Sequence, residues 1–367
     1  MIRKTTLALC APAVLAFAAG DAHADFDIGE IRLPPGFEIE EYVTDLRNAR
    51  GLAIGENGTL FVGTRNAGKV YAVRNPGGPG QEIIELASRL LAPNGLAVRG
   101  SSLFVAEIHR ILEYENIEQR LGEGISPKVF HDGLPTARHH GWRAIGFAPD
   151  GWMYVAVGAP CNVCDSYATI ERIPAQGGER EVYARGVRNS VGLAWHPETG
   201  ELWFTENGRD LMGDDIPPCE LNHAPRPGMH FGFPFCHGAD IPDPDAKWAA
   251  LGDCASAEPP AQELGPHTAP VGLTFYTGDA FPAEYKGRLF VAEHGSWNRS
   301  RKIGYRVMML ELEGNEVVSY EPFAEGWLRG EETLGRPAYV IEDREGNLLI
   351  SDDHRGVIYR VRYTGAS

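Results

Sequence analysis

The sequence predicts an all-β protein, a six-bladed β-propeller, from three observations. Glycine (44) and proline (26) are abundant among the 367 residues, which is typical of a turn-rich fold. Alternating apolar strands flank short polar turns, and no stretch keeps an apolar period of 3.6 residues. One hairpin phrase, a Gly-Leu-Ala-like start followed by a glycine turn and an apolar strand, occurs six times. Its copies begin at Gly51, Gly95, Ala144, Gly192, Gly272 and Ala338.

The spacing of these copies matches the size of a propeller blade. Successive turn glycines are 42, 51, 49, 87 and 59 residues apart, and a four-stranded blade takes about 40–50 residues. An irregular sandwich of hairpins is the alternative, but a sandwich gives no reason for six similar hairpins. The turn glycines are Gly58, Gly100, Gly151, Gly200, Gly287 and Gly346.

Domain organisation follows from the same spacing. We expect one propeller domain over residues 25–367, and the 87-residue gap predicts a long loop insertion at about residues 211–270. The chain ends in the strand-like string GVIYRVRY. A late or early strand of this kind completes a shared blade and removes the open sheet edge.

The N-terminal segment has the pattern of an export signal. Arg3 and Lys4 precede an apolar run over residues 5–20, and Ala22 and Ala24 are the small residues that a signal peptidase reads. We therefore expect residues 1–24 to be removed by cleavage after Ala24, which gives a periplasmic or secreted protein. A membrane anchor is the alternative, but the run is shorter than the roughly 20 residues of a spanning helix. No later segment of the sequence looks like a membrane span.

Five cysteines remain after such cleavage, so at least one thiol is free or unusually paired in an oxidising compartment. The string Cys-Asn-Val-Cys at residues 161–164 could be a redox motif or half a zinc site, but a local structural disulfide is favoured. A second disulfide, between Cys236 and Cys254, is expected in the insertion. Asp165 stands where a haem-attachment motif needs histidine, so any electrons must leave to a separate carrier. The five residues are Cys161, Cys164, Cys219, Cys236 and Cys254.

The charge balance excludes one class of partner and predicts another. The net charge of −16 repels polyphosphates, so nucleic acid is not an expected partner. Against this background, many arginine and histidine residues flank the repeated strands, whose ends converge on a propeller channel. This convergence predicts a locally positive pocket for an anionic ligand. The flanking residues are Arg65, His109, His139, His140, Arg143, Arg188, Asn189, Glu206, Asn207, Gly208, Arg209, His294 and Arg336.

Several strings resemble a known family. HHGWRAIGFAPDGWMYVAVG, ARGVRNSVGLAW, ENGRD and AEHGSWNRS are similar to the soluble quinoprotein sugar dehydrogenases of the glucose/sorbosone dehydrogenase family, and closest to its sorbosone dehydrogenase-like branch. The resemblance extends from about Ile31 to Tyr363. It implies a six-bladed propeller that uses pyrroloquinoline quinone (PQQ) and calcium to oxidise a small sugar.

The resemblance also implies residue roles in cofactor chemistry. His139 matches the family's general base, because it lies at a fixed spacing before Arg143. The three carboxylates of PQQ explain the arginine density, since guanidinium–carboxylate pairs are strong and directional. His294 stands where the glucose-oxidising branch has a cofactor-binding lysine, and Ala338 where it has a second arginine. The expected cofactor-binding residues are Arg65, Arg188, Asn189, His294 and Arg336.

Two metal sites are expected on the same basis. Backbone carbonyls of Gly208 and Arg209 match the turn that holds the cofactor's calcium, a hard cation that takes oxygen ligands. Asp214, Asp215 and Glu220 resemble a second, structural calcium cluster.

The expected function is therefore a periplasmic PQQ- and calcium-dependent dehydrogenase that oxidises an aldose or sorbosone-type sugar. Its electrons would pass to a separate acceptor, a cytochrome or a quinone. Two alternatives stay open: a calcium-dependent six-bladed propeller lactonase and a non-catalytic binding propeller.

Overall fold

The structure is a computed structural model that describes residues 26–365, and these residues contain 29 β-strands and one short α-helix, α1 (Ala246–Ala249). Single 3-10 turns cover Ile28–Glu30, Ile117–Gln119, Cys254–Ser256 and Ala283–Tyr285. The strands are β1 (Phe37–Val43), β2 (Ala49–Ile54), β3 (Leu60–Thr64), β4 (Val70–Arg74), β5 (Glu82–Ala87), β6 (Gly95–Arg99), β7 (Ser102–Ala106), β8 (Arg110–Tyr114), β9 (Lys128–Asp132), β10 (Ile145–Phe147), β11 (Met153–Val157), β12 (Thr169–Ile173), β13 (Glu181–Arg185), β14 (Gly192–Trp195), β15 (Leu202–Glu206), β16 (Pro218–Ala224), β17 (Met229–His230), β18 (Cys236–His237), β19 (Ile241–Pro242), β20 (Gln262–Pro266), β21 (Pro270–Phe275), β22 (Leu289–Glu293), β23 (Arg306–Glu313), β24 (Glu316–Glu325), β25 (Leu328–Arg329), β26 (Glu332–Thr333), β27 (Pro337–Glu342), β28 (Leu348–Asp352) and β29 (Val357–Tyr363).

Within residues 26–365 the large sheets number six, and they are the blades of a propeller, as the sequence predicts. Blades 1 and 2 are the meanders β2–β5 and β6–β9, and blade 3 is β10–β13 with β17 added in parallel to its outer strand. Blade 4 is β14, β15, β16 and β20, and blade 5 is β21–β24. Blade 6 is β27–β29 completed by β1, whose Ile39 lies opposite Val361. The predicted shared blade is confirmed, so the two ends of the propeller are joined in one sheet.

The innermost strands explain the repeated hairpin phrase. Strands β2, β6, β10, β14, β21 and β27 form a closed ring in which each contacts the next. A Cβ atom on Gly51 would lie 1.8 Å from the carbonyl oxygen of Asn94, and one on Gly192 would lie 2.0 Å from that of Val271. Glycine therefore recurs at this position because a neighbouring backbone occupies the space of a side chain.

The hydrophobic core is divided among the spaces between blades. Phe37 and Phe323, for example, meet edge to face at 5.2 Å between blades 6 and 5. Leu52 packs with Leu349 between blades 1 and 6. The outer strands are partly exposed to solvent. The blades are therefore bound to one another chiefly through the apolar side chains that pack between them.

The predicted insertion is wrong in its bounds. Pro218–Ala224 and Gln262–Pro266 are regular strands of blade 4, because Phe204 and Asn222 pair in its ladder. The true insertion lies between them and carries β17, the β18–β19 hairpin and α1. Strand β17 pairs with β13 of blade 3, so the insertion is tied to the neighbouring blade.

The cysteines are arranged as predicted. Cys161 and Cys164 form the local disulfide, and Cys236 and Cys254 form the disulfide within the insertion. Cys219 is a buried free thiol, and burial raises its pKa. The thiol form is therefore the stable one, and the cysteine is not a reactive thiolate.

Within residues 26–365 no helix has the length and apolar character needed to cross a lipid bilayer. The expected signal sequence, residues 1–24, lies outside the described residues, so its cleavage stays a prediction.

Strand direction places the functional loops on one face. Because the strands of each blade alternate in direction, the loops between second and third strands share a face with the loops that lead into the next blade. The opposite face carries the glycine hairpins. All six predicted turn glycines have positive φ there, between 54° and 88°, which confirms the hairpins.

We predict that Gly51→Ala destabilises the protein by about 1–3 kcal/mol or more, because a methyl group would overlap a fixed backbone carbonyl. Thermal or urea unfolding measures the loss. Gly78→Ala is the matched control, since its Cβ would make only an ordinary 3.5 Å contact with Asn75. Equal stability of both variants would show that the inner strands can move apart.

Candidate active site

A cavity of about 440 Å³ lies on the axis at the loop-bearing face. The structure brings seven of the predicted site residues to its wall, although they come from five different blades. Their convergence follows from position, because each lies just before an innermost strand or just after a second strand. The seven are Arg65, His139, Arg188, Asn189, Gly208, His294 and Arg336.

Arg188 is buried at the cavity wall with every N–H group in use. Its Nε donates to the Asn162 carbonyl (2.9 Å), and its Nη1 donates to the carbonyls of Asn207 (3.0 Å) and Gly208 (2.8 Å). Its Nη2 donates to Asn162 Oδ1 and Asp210 Oδ2, both at 2.8 Å. Five donors thus meet five acceptors. These bonds leave no donor for the cofactor carboxylate that the resemblance assigns to Arg188, so its contribution to a ligand in this arrangement is its charge and flat face.

Asn189 presents an acceptor without a partner. Its side chain is buried at the cavity, and its Oδ1 makes no hydrogen bond within the described residues. Its backbone carbonyl accepts from the backbone and side-chain N–H groups of Asn207, at 3.1 and 3.2 Å. A buried polar atom without a partner is costly, so this oxygen is matched to a bound ligand or ion.

A buried ion-pair network fixes His294. Asp353 accepts from Nη1 of Arg50 at 2.6 Å and lies 2.8 Å from Nε2 of His294. Burial lowers the His294 pKa to about 4, so the ring is neutral near pH 7 and donates its Nε2–H to Asp353. Its Nδ1 is then an acceptor. His294, which stands where the glucose-oxidising branch has a cofactor-binding lysine, therefore lines the cavity without a positive charge, and its role in cofactor binding stays a prediction.

Two arginines keep donors free for a ligand. The Arg65 side chain makes no hydrogen bond within residues 26–365 and stacks on Trp142, 4.0 Å from the ring centroid. Arg336 donates from Nε to the His294 carbonyl and from Nη2 to the Gly295 carbonyl, which leaves Nη1 open. Burial lowers the pKa of both, that of Arg65 to about 10. Both therefore remain cationic at pH 7.

His139 and His140 lie side by side at the mouth, with ring centroids 4.0 Å apart and ring planes tilted by 50°. His139 is exposed, whereas buried His140 lies 2.9 Å from the Ala159 carbonyl through Nδ1. Partial burial and the Arg188 charge lower the pKa of His139, and deeper burial with the same charge lowers that of His140 to about 2. Both rings are neutral near pH 7, and His139 is the one open to a substrate proton.

The expected metal residues do not converge. Arg209 pairs with Asp243 and does not line the cavity. The carboxylate of Asp214 bonds Ser300 through its backbone and hydroxyl, and Asp215 pairs with Arg299 at 3.1 Å. Within the described residues, no group of three His, Cys, Asp or Glu side chains could hold a metal.

Glu220 is separate from those two aspartates because it belongs to the ladder of blade 4. It lies opposite Glu206 across β15 and β16, and accepts from Gly238 N (2.8 Å) and Asn222 Nδ2 (2.9 Å). Burial raises its pKa to about 7. The expected second calcium cluster of Asp214, Asp215 and Glu220 is therefore wrong as a cluster.

Sequence reasoning missed Arg50, Trp142, Asp353 and Trp297, although a signal existed for two of them. Asp353 directly follows the second strand of blade 6, as Arg65 does in blade 1. Arg50 is the residue just before the first repeated phrase. Among the flanking residues that sequence reasoning did select, Arg143 is buried, does not line the cavity and donates to two backbone carbonyls.

A six-bladed propeller with a cationic axial cavity is the class of protein that this fold and site define. The chain belongs to the TrAA12-like family, whose model matches residues 31–364. An uncharacterized protein of Borreliella burgdorferi is 30% identical over 350 residues, which cover 91% of each chain. The aldose sugar dehydrogenase YliI of Escherichia coli is 28% identical over 182 residues, 43% of this chain and 46% of that protein.

Solved structures share the fold. A calcium structure of a Trichoderma reesei AA12 enzyme matches with a TM-score of 0.77 at 18% identity, covering 91% of this chain and 97% of that chain. The holo form of the pyranose dehydrogenase PQQ domain from Coprinopsis cinerea matches with a TM-score of 0.75 at 18% identity, covering 90% and 97%. The resemblance to quinoprotein sugar dehydrogenases is confirmed.

Glu206 gives a prediction about pH. It is buried, its Oε1 accepts from Arg188 N at 2.5 Å, and its Oε2 has no partner within the described residues. Burial and Glu220 raise its pKa well above 4.5. The folded state thus keeps a proton that the unfolded state loses, so stability falls as pH rises above about 4.5.

We predict that Glu206→Gln raises the Tm at pH 8 by at least about 2 °C and changes it little at pH 4.5. Glutamine keeps the acceptor for Arg188 and cannot ionise. Glu198→Gln, at an exposed position, is the control and should change neither value. A Glu206→Gln variant that is less stable at pH 8 would mean that the charged form is preferred in the folded protein.

Proposed function

We propose that this protein is an exported PQQ-dependent dehydrogenase that oxidises a CH–OH group of an aldose or related sugar. The observation that carries the proposal is the axial cavity, where the side chains of His139, His140 and His294 are neutral near pH 7. In this cavity Arg65 and Arg336 keep N–H donors that have no hydrogen-bond partner within the described residues. Membership of the TrAA12-like family supports it. So do the names of its relatives, an aldose sugar dehydrogenase and a pyranose dehydrogenase PQQ domain.

The donor set fits a flat polycarboxylate. Arg65 and Arg336 would bind carboxylates directly, and Arg188 would add charge without a direct hydrogen bond. Asn189 Oδ1 has the character of an acceptor for a ring N–H or an ion. The cavity of about 440 Å³ has the size of a small-molecule site. When bound, PQQ supplies a two-electron acceptor.

His139 is proposed as the general base. Its ring is neutral near pH 7 because burial and the charge of Arg188 lower its pKa. It lies at the exposed mouth, where a substrate hydroxyl can reach it. Removal of the hydroxyl proton by His139 lets the carbon give up its hydride, so the alcohol becomes a carbonyl.

Calcium is part of the same proposal. Asn189 Oδ1 and the Gly208 carbonyl are hard oxygen donors, but both are neutral and Arg188 already bonds Gly208. Asp210 is paired with the same arginine. The carboxylates of PQQ would therefore supply most of the negative charge around the ion. Calcium should accordingly bind far more tightly to the protein loaded with PQQ than to the cofactor-free protein.

The alternatives have less support. A calcium lactonase needs carboxylates directed at the axis, whereas this cavity is lined mainly by arginine, histidine and tryptophan. A binding propeller needs no base at the mouth. Electron transfer to a separate cytochrome or quinone, and periplasmic location after cleavage near Ala24, belong to the proposal as the sequence predicts them.

Reconstitution tests the proposal. Adding PQQ and calcium to the purified apoprotein should give a saturable quinone absorption band and dye-linked oxidation of aldoses.

Arg336→Gln should weaken PQQ binding about tenfold or more, because a charge-assisted hydrogen bond is worth about 1.5–3 kcal/mol. Arg360→Gln is the control, because it removes an ion pair with Glu40 and a contact with the Tyr42 ring, and Arg360 does not line the cavity. Titration should show tighter calcium binding with PQQ present.

Failure to bind PQQ would overturn the proposal. Lactone hydrolysis without any redox dye would favour the lactonase instead. Ligand binding without turnover would favour the binding propeller.

The base gives a separate prediction. His139→Ala should lower kcat/KM by about 10²–10⁴-fold with PQQ affinity unchanged. In the parent enzyme kcat/KM should stay constant from pH 8 to below 6.5 before it falls, because the pKa of His139 is lowered from 6.5. His109→Ala, at a predicted residue that does not line the cavity, is the control. A fall centred above pH 6.5 would contradict the assignment.

A further inference from the structure

Trp297 combines two properties that rarely occur together. Its side chain is 73% exposed, yet it lines the axial cavity. Large aromatic side chains are usually buried because their exposure forgoes apolar stabilisation. No role in the core explains this ring, so its position at the mouth calls for a ligand.

Hydrogen bonds fix the backbone on both sides of this ring. Ser296 and Ile303 bridge the base of the loop, through Ile303 N to Ser296 Oγ at 3.0 Å. Tyr305 donates its hydroxyl proton to the Ser296 carbonyl at 2.7 Å. The far side is tied to the blade 4 loop, where Arg299 Nε donates to the Asp214 carbonyl at 3.1 Å. The backbone that carries Trp297 is therefore fixed beside the cavity.

Polar groups line the same cavity as this aromatic face. His139 and Asp210 are at the wall, and the Asp210 carboxylate is partly exposed, at 19%. A pyranose matches this combination, because it carries apolar C–H groups on its ring faces and hydroxyl groups around its edge. Aromatic faces bind such C–H groups, and carboxylates and imidazoles bind hydroxyls.

We propose that Trp297 is the stacking platform for the pyranose ring of the substrate. This assignment rests on the proposed sugar oxidation and names the residue that selects ring-shaped substrates. A protein partner fits less well, because a specific interface buries about 1,200 Å² or more, and the ring belongs to a concave cavity instead of a flat patch.

Sugar binding without turnover tests this directly. Saturation-transfer NMR on the cofactor-free protein with D-glucose or D-xylose should show transfer to the C–H protons of one ring face. Trp297→Ala should abolish it, and Trp297→Phe should retain most of it. Leu211→Ala is the matched control, because Leu211 is equally exposed at 73% and does not line the cavity.

With the loaded enzyme, Trp297→Ala should raise KM about five- to tenfold with kcat nearly unchanged and PQQ affinity unaltered. Sugar affinity equal to that of the parent, or absence of sugar binding by the parent, would overturn the inference. Loss of PQQ binding in the parent would overturn the proposed function but not the sugar platform, so the two failures are distinguishable.

Discussion

The close approach of the innermost strands around the axis is the constraint on which the site depends. Backbone carbonyls of one strand occupy the space where the next strand would carry a side chain, as at Gly51 and Gly192. The axial cavity lies where these strands end. Loops from separate blades meet there, and residues distant in sequence become neighbours.

That geometry brings several arginine side chains close together, and neighbouring carboxylates neutralise part of their positive charge. Arg188 is paired with Asp210, and Arg50 with Asp353, at 2.8 and 2.6 Å. These pairs stabilise the buried cations through hydrogen bonds as well as charge. Arg65 and Arg336 carry the charge that is not balanced in this way. An anionic ligand would neutralise the charge of Arg65 and Arg336. The two paired arginines, Arg188 and Arg50, would maintain the shape of the cavity before the ligand binds.

Much of the fold could be predicted from the sequence, because the repeated hairpin and its glycine report a local constraint that recurs in every blade. The convergence of His139, Asn189 and Arg336 could also be predicted, since position along a blade decides which loops meet. Hydrogen-bond partners could not. The donors of Arg188 are filled by Asn162 and Asp210 from two other loops, and the Asn162 contact depends on how the loop that contains the Cys161–Cys164 disulfide is folded.

The distinction between paired and open arginines changes how such a site is understood. The sequence around Arg188 is the most similar to the family, yet all of its side-chain N–H donors are already hydrogen-bonded. Arg65 lies in an ordinary turn, and all of its side-chain donors remain available. His294 likewise has the place of a cation but is neutral, because burial lowers its pKa by more than the neighbouring Asp353 carboxylate raises it. Sequence position therefore identifies the wall of the cavity, and the hydrogen-bond inventory of each side chain decides which part of that wall can bind a ligand.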